Sequence, residues 1–519
     1  MHQDLLTLGD IVAAQARLAP DRFAVRDLER EMTWRQWNQR ACRLANALVG
    51  LGLEKGDRVA VLAYNCIEWA EIYAATAKAG IVAVPINFRL VGAEVRFIAD
   101  NAEASAFIVQ DELAGVVEEI RASLACPKDR FIHFGVKACP AGFHDYEALL
   151  ARGADREPGA NVVATDPWML MYTSGTTGKP KGAIRSHKGS ALVSLVTEIE
   201  LKIHRRDSAL LVMPMCHANS LYFFGAHAYC GGTSTIYSRK SFDPEHALAT
   251  LASCGATFTS LVPTHYIMML SLAEAVRSRH VCDAVTKLMI SSAPARPDTK
   301  RAIMEMFRNS GLYELYGSTE AGWVTMLHPE EQFTKLGSVG RECVGSAPIR
   351  LLDDGGDEVP DGEAGELFSC NPYTFDGYWK LPDKTAEAFR GSYCTVGDMA
   401  RRDADGFIWL VDRKKNMIIS GGENVYPTEI EIAVGTHPAV KDVAVIGLPD
   451  DKWGERVHAV VVLHEGRHAS ADEIIAHARD RLAGYKRPRS VSFIAEGEMP
   501  RTATGKIQHR ILRERLGGR

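Results

Sequence analysis

Residues 172–182 gather four Ser/Thr hydroxyls (Thr173, Ser174, Thr176, Thr177), three glycines (Gly175, Gly178, Gly182) and two lysines (Lys179, Lys181) behind the apolar stretch 168–171. Such a loop can wrap a phosphate. Glycines let backbone N–H groups converge, hydroxyls donate to the oxygens, and ammonium groups neutralise their charge. It is not a Walker A loop, which spaces its glycines further apart and follows its lysine with Ser or Thr; here Pro180 follows Lys179. A flexible linker is the poorer account, since linkers do not hang from apolar strands with fixed lysines.

The elements that must hold this loop follow an α/β rhythm. Residues 58–63 read as a strand, 66–79 as a helix with small and apolar residues on one face, and 81–86 as a second strand; 91–100 and 106–109 repeat the pattern. This alternation predicts a parallel sheet flanked by helices. Around 391–416 the texture changes to Gly, Asp and the basic run Arg413-Lys414-Lys415, between strands expected at 407–411 and 417–420. A hinge is expected there. Beyond it come a helix from Pro427, strands at 439–447 and 457–463, and a helix opened by the capping box Ser470 to Glu473. The expected organisation is therefore a large N-terminal domain, 1–413, and a small mobile α+β C-terminal domain, 414–519.

Length and composition bound what such a molecule does. At 519 residues, 46% apolar and 24% charged, the chain is an ordinary globular one, neither disordered nor a small disulfide scaffold. A net charge of -5 gives no global field for nucleic acid or anionic membrane. Residues 479–519 nevertheless hold eleven Lys/Arg against four Asp/Glu, which is either a solvated helix face or a local seat for a polyanion. The first fourteen residues carry Asp4 and Asp10 and lack a basic flank, so export is not expected. Residues 208–238 contain no Asp, Glu, Lys or Arg, but Pro214, His217, Asn219, His227 and Gly231-Gly232 interrupt them, which predicts a buried core segment and not a membrane span. The eleven cysteines are odd in number and show no CxxC pair, and are read as reduced, buried, cytoplasmic thiols.

With the phosphate loop, further blocks occur in a fixed order: Tyr313 to Glu320, Gly397-Asp398, Asp412 to Lys415, and Pro500 to Lys506. Together with Met32-Thr33-Trp34 and Lys55 to Val59, they make the chain resemble the adenylate-forming superfamily over essentially its whole length. That superfamily comprises acyl-CoA synthetases, adenylation domains and firefly-type luciferases. The resemblance implies the α/β architecture above, with several flanked sheets in the large domain, and ATP, Mg²⁺ and coenzyme A as its small molecules. It implies that 173–179 grips ATP and that Glu320 and Thr176 ligate Mg²⁺, hard oxygen donors suiting that ion. Thr319 would bond the α-phosphate. Tyr316 and Gly317 would lie on one face of adenine with Ser292, Ala293 and Pro294 on the other. Asp398 would accept both ribose hydroxyls, unless it is a turn aspartate; Arg413 would add a ribose contact, unless it forms a surface ion pair. Val396 stands where the family usually has Thr.

Lys506 is the implied catalytic lysine. An ammonium there stabilises charge developing at the α-phosphate. Lys415 would be the pivot by which Lys506 leaves, and Gly421 and Gly422 would line the pantetheine path. His217 aligns with a residue gating the acyl pocket, with a satisfied core histidine as its alternative; Leu221 to Gly225 would add an apolar wall.

The expected function is an ATP-dependent acyl-CoA synthetase. It converts an uncharged apolar acid, medium- or long-chain fatty or aromatic, to acyl-AMP with loss of pyrophosphate and then to the CoA thioester. The alternative is a stand-alone adenylation enzyme that loads a carrier protein. The tetrapeptide Gly231-Gly232-Thr233-Ser234 resembles a phosphopantetheine site by chance, and a luciferase-type role lacks the Ser-Lys-Leu ending. Expected partners are the acid, ATP and coenzyme A, without nucleic acid or a transmembrane segment; a homodimer and a lysine acetyltransferase acting on Lys506 are the further partners considered.

Overall fold

The computed structural model describes residues 6–173, 180–291, 295–420, 423–479, 481–501 and 506–517. The chain forms two compact units, residues 1–348 with 369–394 and residues 349–368 with 395–519. The segment ending at 368 belongs with the second because Gly365 and Glu366 pair antiparallel with Ala400 and Met399.

In the first unit the βαβ rhythm is realised as an eight-stranded sheet. Arg58–Leu62, Val82–Ile86, Ala104–Gln110 and Pro167–Thr173 run parallel. Lys181–Ser186 folds back antiparallel on Pro167–Thr173, with Thr173 opposite Lys181. The two ends of the phosphate-loop motif are thereby pinned to one sheet.

Helix Glu68–Ala79 departs from the one-faced reading, since every residue in it is buried. Its charged residues tolerate this by pairing, as buried charges must. Glu68 meets Arg30 at 2.5 Å, Glu71 meets Arg40 at 2.6 Å and Lys78 meets Glu157 at 2.8 Å. Periodicity missed the second buried face because alanines, not large apolar residues, make it.

A nine-stranded sheet completes the layering of this unit, its centre parallel and its edges antiparallel. The uncharged run 208–238 supplies strand Ser208–Leu211, helix Ala218–Cys230 and strand Thr233–Ile236, all core as expected. Phe223 packs on Phe258 with ring centroids 4.8 Å apart and on Trp323 at 5.4 Å, while Phe224 packs on Trp37 at 5.4 Å. Ser234 is buried in strand Thr233–Ile236, pairing with Val25 and Ala209, and Gly231 is the left-handed cap of helix Ala218–Cys230, so the tetrapeptide is a helix-to-strand connection within the fold and not an attachment loop.

The second unit is α+β. Val440–Asp450 and Gly454–Leu463 form a long hairpin, joined by Ile418–Ser420 and, in parallel, Ser490–Phe493. Helices Pro427–Gly435 and Ala471–Arg479 cover one side through Ile430, Val434, Ile474 and Ala478. Helix His509–Gly517 covers the other, where Leu512 meets Ala444 and Ile446. The capping box forms as read: Ser470 Oγ accepts from Glu473 N at 3.3 Å, and Ser470 N donates back to the Glu473 carboxylate at 2.7 Å.

All eleven cysteines are free; six are buried and five half-buried, so burial is less complete than the sequence reading supposed. Among the described residues no helix is long and apolar enough to cross a membrane.

Candidate active site

Strand Gly311–Ser318 returns as Gly322–Leu327, with Ser318 opposite Gly322, so Thr319, Glu320 and Ala321 form the tip of a hairpin. Gly322 has φ +70°, and a Cβ on it would lie 2.7 Å from the Tyr373 ring. Gly317 is equally constrained, because a Cβ there would lie 2.3 Å from the Gly322 carbonyl oxygen. Glycine at both positions lets the tip close this tightly.

The tip is tied to the phosphate-loop strands. Thr173 Oγ1 donates to Glu320 Oε1 at 3.1 Å, and the Tyr378 hydroxyl donates to the same oxygen at 2.9 Å. Beneath them Arg185, fully buried, donates to the carbonyls of Thr319 and Glu320, each at 3.3 Å, and of Tyr373 at 2.7 Å. Its guanidinium also lies 5.4 Å from the Tyr222 ring centroid. A guanidinium amid three carbonyls satisfies a backbone bend that no helix or sheet ladder would otherwise serve. Lys181 stands over the Tyr378 ring at 3.8 Å, and burial first, opposed by Glu320, holds its pKa below the ordinary lysine value. Burial and then Glu320 push the Tyr378 phenol up.

Sequence reading singled out Thr173, Lys181, Tyr316, Gly317, Thr319 and Glu320, and the fold brings Thr173 to Glu320 and Lys181 to Tyr378. Tyr316 is half-buried on the hairpin strand opposite Thr325. Arg185 and Tyr378 were missed. An arginine amid the small and apolar residues of 182–186 was the available signal for the first; the second left none.

His217 caps helix Ala218–Cys230, half-buried, with Nε2 3.2 Å from the Asn87 amide nitrogen. It is therefore not a fully enclosed core histidine. Beside it, Asn219 donates to Ser291 Oγ at 2.6 Å and accepts from Ser260 at 3.1 Å, a polar cluster also unmarked in the sequence reading. Leu221, Tyr222, Phe223 and Phe224, expected as a pocket wall, are at most 2% exposed and pack in the core, where Leu221, Tyr222 and Phe224 also line a small cavity. Ser174, Gly175, Thr176, Thr177, Gly178, Lys179, Ser292, Ala293 and Pro294 lie outside the described residues.

In the second unit Asp398, only 9% exposed, faces Arg413 across an antiparallel pair, and Arg413 Nε donates to its Oδ1 at 3.0 Å. Gly397, at φ +80°, turns the chain before it. Asp412 fastens the next turn, accepting from Arg413 N, Asn416 Nδ2 and the N–H and hydroxyl of Thr428. Lys414 reaches Asp354 at 2.7 Å and Glu366 at 3.1 Å, whereas Lys415, central in the 3₁₀ turn Lys414–Asn416, is exposed. Gly421 and Gly422 are not described.

Lys506 is exposed and directly precedes Ile507, which forms an antiparallel bridge with Arg501. Gln508 Nε2 donates to the Arg501 carbonyl at 2.8 Å, and Arg501 pairs with Asp442.

Among the described residues no cluster of three or more His, Cys, Asp or Glu gathers. A metal at the hairpin would have Glu320 as a lone carboxylate ligand. That suits Mg²⁺, which commonly takes one or two carboxylates and completes its shell with water and phosphate.

Comparison with known proteins agrees with this geometry. The model of the AMP-binding enzyme family matches residues 12–379, and that of the AMP-binding enzyme C-terminal domain matches 429–506. A feruloyl-CoA synthase of Amycolatopsis sp is 36% identical over 512 residues, covering 98% of this chain and 99% of that protein. A long-chain-fatty-acid–CoA ligase of Mycobacterium tuberculosis is 35% identical over 489 residues, 93% of each chain. The crystal structure of an anthranilate CoA ligase in complex with anthranoyl-AMP superposes with TM-score 0.89 at 27% identity, covering 98% of this chain and 97% of that one. The chain belongs to the AMP-binding enzyme family, in its acyl-CoA synthetase branch. It is an acid–thiol ligase: it activates a carboxylic acid with ATP and joins it to coenzyme A through a carbon–sulfur bond.

Proposed function

We propose that the Thr319–Glu320 hairpin tip and the loop it touches are the adenylation centre, and that the acid it takes is uncharged and apolar, aromatic or medium- to long-chain aliphatic. The observation that carries this reading is the 3.1 Å bond from Thr173 to Glu320, which joins two motifs 147 residues apart in the chain. In the first step an oxygen of the acid attacks the α-phosphorus and the bond to pyrophosphate breaks. Thr319 holds the α-phosphate, Glu320 is the Mg²⁺ ligand with Thr176, and 173–179 cradle the phosphates. What Mg²⁺ supplies when bound is screening of charge between the phosphates and the incoming carboxylate. Lys181 and Lys506 offer ammonium groups to oxygens that become more negative in the transition state. Tyr316 and 292–294 sandwich adenine, and Asp398 accepts the ribose hydroxyls with Arg413 fixing its orientation. In the second step the coenzyme A sulfur attacks the acyl carbon and AMP leaves with the electron pair of the cleaved bond. Lys415 is the pivot for that exchange, and Gly421 and Gly422 flank the thiol path.

An apolar acid is supported by the surroundings of His217, where Asn87 leads into Phe88 and the Tyr64 and Phe88 rings lie 4.8 Å apart. The named products of the relatives, a feruloyl and a long-chain acyl thioester, fall on either side of this class. Unbonded thiols throughout the chain suit a reducing, cytoplasmic setting. Exposure of Lys506 suits acylation by a lysine acetyltransferase.

Acid-dependent ATP–pyrophosphate exchange across fatty acids, benzoates, cinnamates and dicarboxylates, each repeated with free coenzyme A and with an apo carrier protein, tests the reading. Apolar acids should support exchange, and free coenzyme A should release AMP and yield thioester. Preference for a dicarboxylate, or transfer to the carrier alone, would overturn it.

A further inference from the structure

Lys506 lies just ahead of helix His509–Gly517, and the start of that helix is tethered by a titratable ion pair: His509 Nε2 lies 2.7 Å from Glu431 Oε1. Glu431 belongs to helix Pro427–Gly435, and the same oxygen accepts from Val445 N at 2.8 Å in the central strand Val440–Asp450. A chain of contacts thus leads from sheet to carboxylate to imidazole at the helix start that follows Lys506. Both side chains are largely buried, at 16% and 19% exposure, so solvent screens the pair incompletely.

His509 sits in the first turn of its helix, where the exposed N–H groups disfavour a cation. The carboxylate therefore has to hold the imidazolium there. The groups facing His509 are Glu431, Asp412 from strand Ile408–Arg413, and Arg513 one turn along its own helix. On the strand beneath this helix, Asp442 is engaged by Arg501. Burial opposes protonation, but Glu431 and Asp412 outweigh burial and Arg513, so the pKa of His509 is raised above the ordinary histidine value.

We propose that His509 is a positioning residue for Lys506, its imidazolium–Glu431 pair anchoring the helix start that directly follows the lysine, so that adenylation weakens as pH rises through the titration of this one histidine. The proposal rests on the assignment of Lys506 to adenylation. The sign follows from the raised pKa: the pair is complete below it, and above it only a neutral hydrogen bond remains, which is roughly half as strong. Asp412 also closes the 412–416 turn by accepting from Asn416 Nδ2 and ties it to Thr428, so one carboxylate faces both His509 and the residues around Lys415.

The test measures pyrophosphate exchange and, separately, thioester formation from supplied acyl-AMP, each across pH on the full chain. In the wild type, exchange should fall roughly fivefold along a one-proton curve, while the thioester step shows no matching transition. His509→Arg, which keeps a cation opposite Glu431, should fold and remove that transition; Glu431→Gln should move it to lower pH. The imidazole signal of His509, followed by NMR, should titrate at the midpoint of the exchange curve. An unchanged curve in His509→Arg, or a midpoint that disagrees with the NMR titration, overturns the proposal. Failure of the underlying assignment is distinguishable: Lys506→Ala would then depress both steps alike at every pH.

Discussion

At the scale of single residues, chemistry was most legible where type and company coincide. Glu320 could be picked out because its block, Tyr313 to Glu320, carries the family resemblance and a carboxylate is a hard donor suited to Mg²⁺; in the fold it accepts from the hydroxyls of Thr173 and Tyr378. Tyr378 and Arg185 were not legible, because their partners are separated from them in sequence by 58 and by more than 130 residues. Removing Glu320 as Glu320→Ala should lower pyrophosphate exchange by about 10- to 100-fold at limiting Mg²⁺, the scale on which weakening a metal site acts. Raising Mg²⁺ should restore part of the rate; a loss untouched by Mg²⁺ would remove the ligand role. Lys506→Ala should depress exchange by about 10²- to 10³-fold, the scale on which a group aimed at developing charge acts, while sparing thioester formation from acyl-AMP, and equal loss in both assays would remove its assigned role.

At the scale of elements, the alternation of strands and helices was readable because both faces of a parallel sheet impose it, whereas the all-round burial of helix Glu68–Ala79 was hidden by its alanines. The hairpin that carries Glu320 was likewise unannounced, since its tip is shaped by Gly317, Gly322 and the distant Arg185. Gly317→Ala should strain that hairpin by crowding the Gly322 carbonyl, cutting exchange more than it lowers Tm. Two helices carry a further signature. His187 opens helix His187–Leu201 and His227 lies in helix Ala218–Cys230; burial holds the pKa of each down to about 4. The unfolded chain binds protons near pH 6.5 while the folded one refuses them, so stability declines as pH falls from about 6.5 toward 4. Each could contribute up to roughly 3 kcal/mol to that decline. Urea unfolding across this range should show the slope in the wild type and a shallower one in His227→Phe; parallel slopes would mean that His227 takes up its proton without unfolding.

At the scale of the whole molecule, the sequence located a large α/β body and a smaller α+β one from a change of texture, but the 413/414 boundary falls inside the second compact unit. Composition could not reveal this, because segment 349–368 joins that unit by strand pairing with residues further along the chain. The turn Lys414–Asn416 follows the pairing of Asp398 with Arg413, leads into strand Ile418–Ser420 and is fastened by Asp412 and Lys414, leaving Lys415 exposed at its centre. If the two half-reactions need different backbone angles at Lys415, fixing φ near one value must favour one of them. Proline does this, and it also biases Lys414 toward extended conformations. Lys415→Pro should therefore reduce thioester formation from acyl-AMP by about tenfold or more while changing exchange less than about twofold. Lys415→Ala, which leaves the angles free, should alter neither ratio appreciably. Were proline to slow both steps equally at unchanged Tm, the pivot would have to lie elsewhere in the second unit.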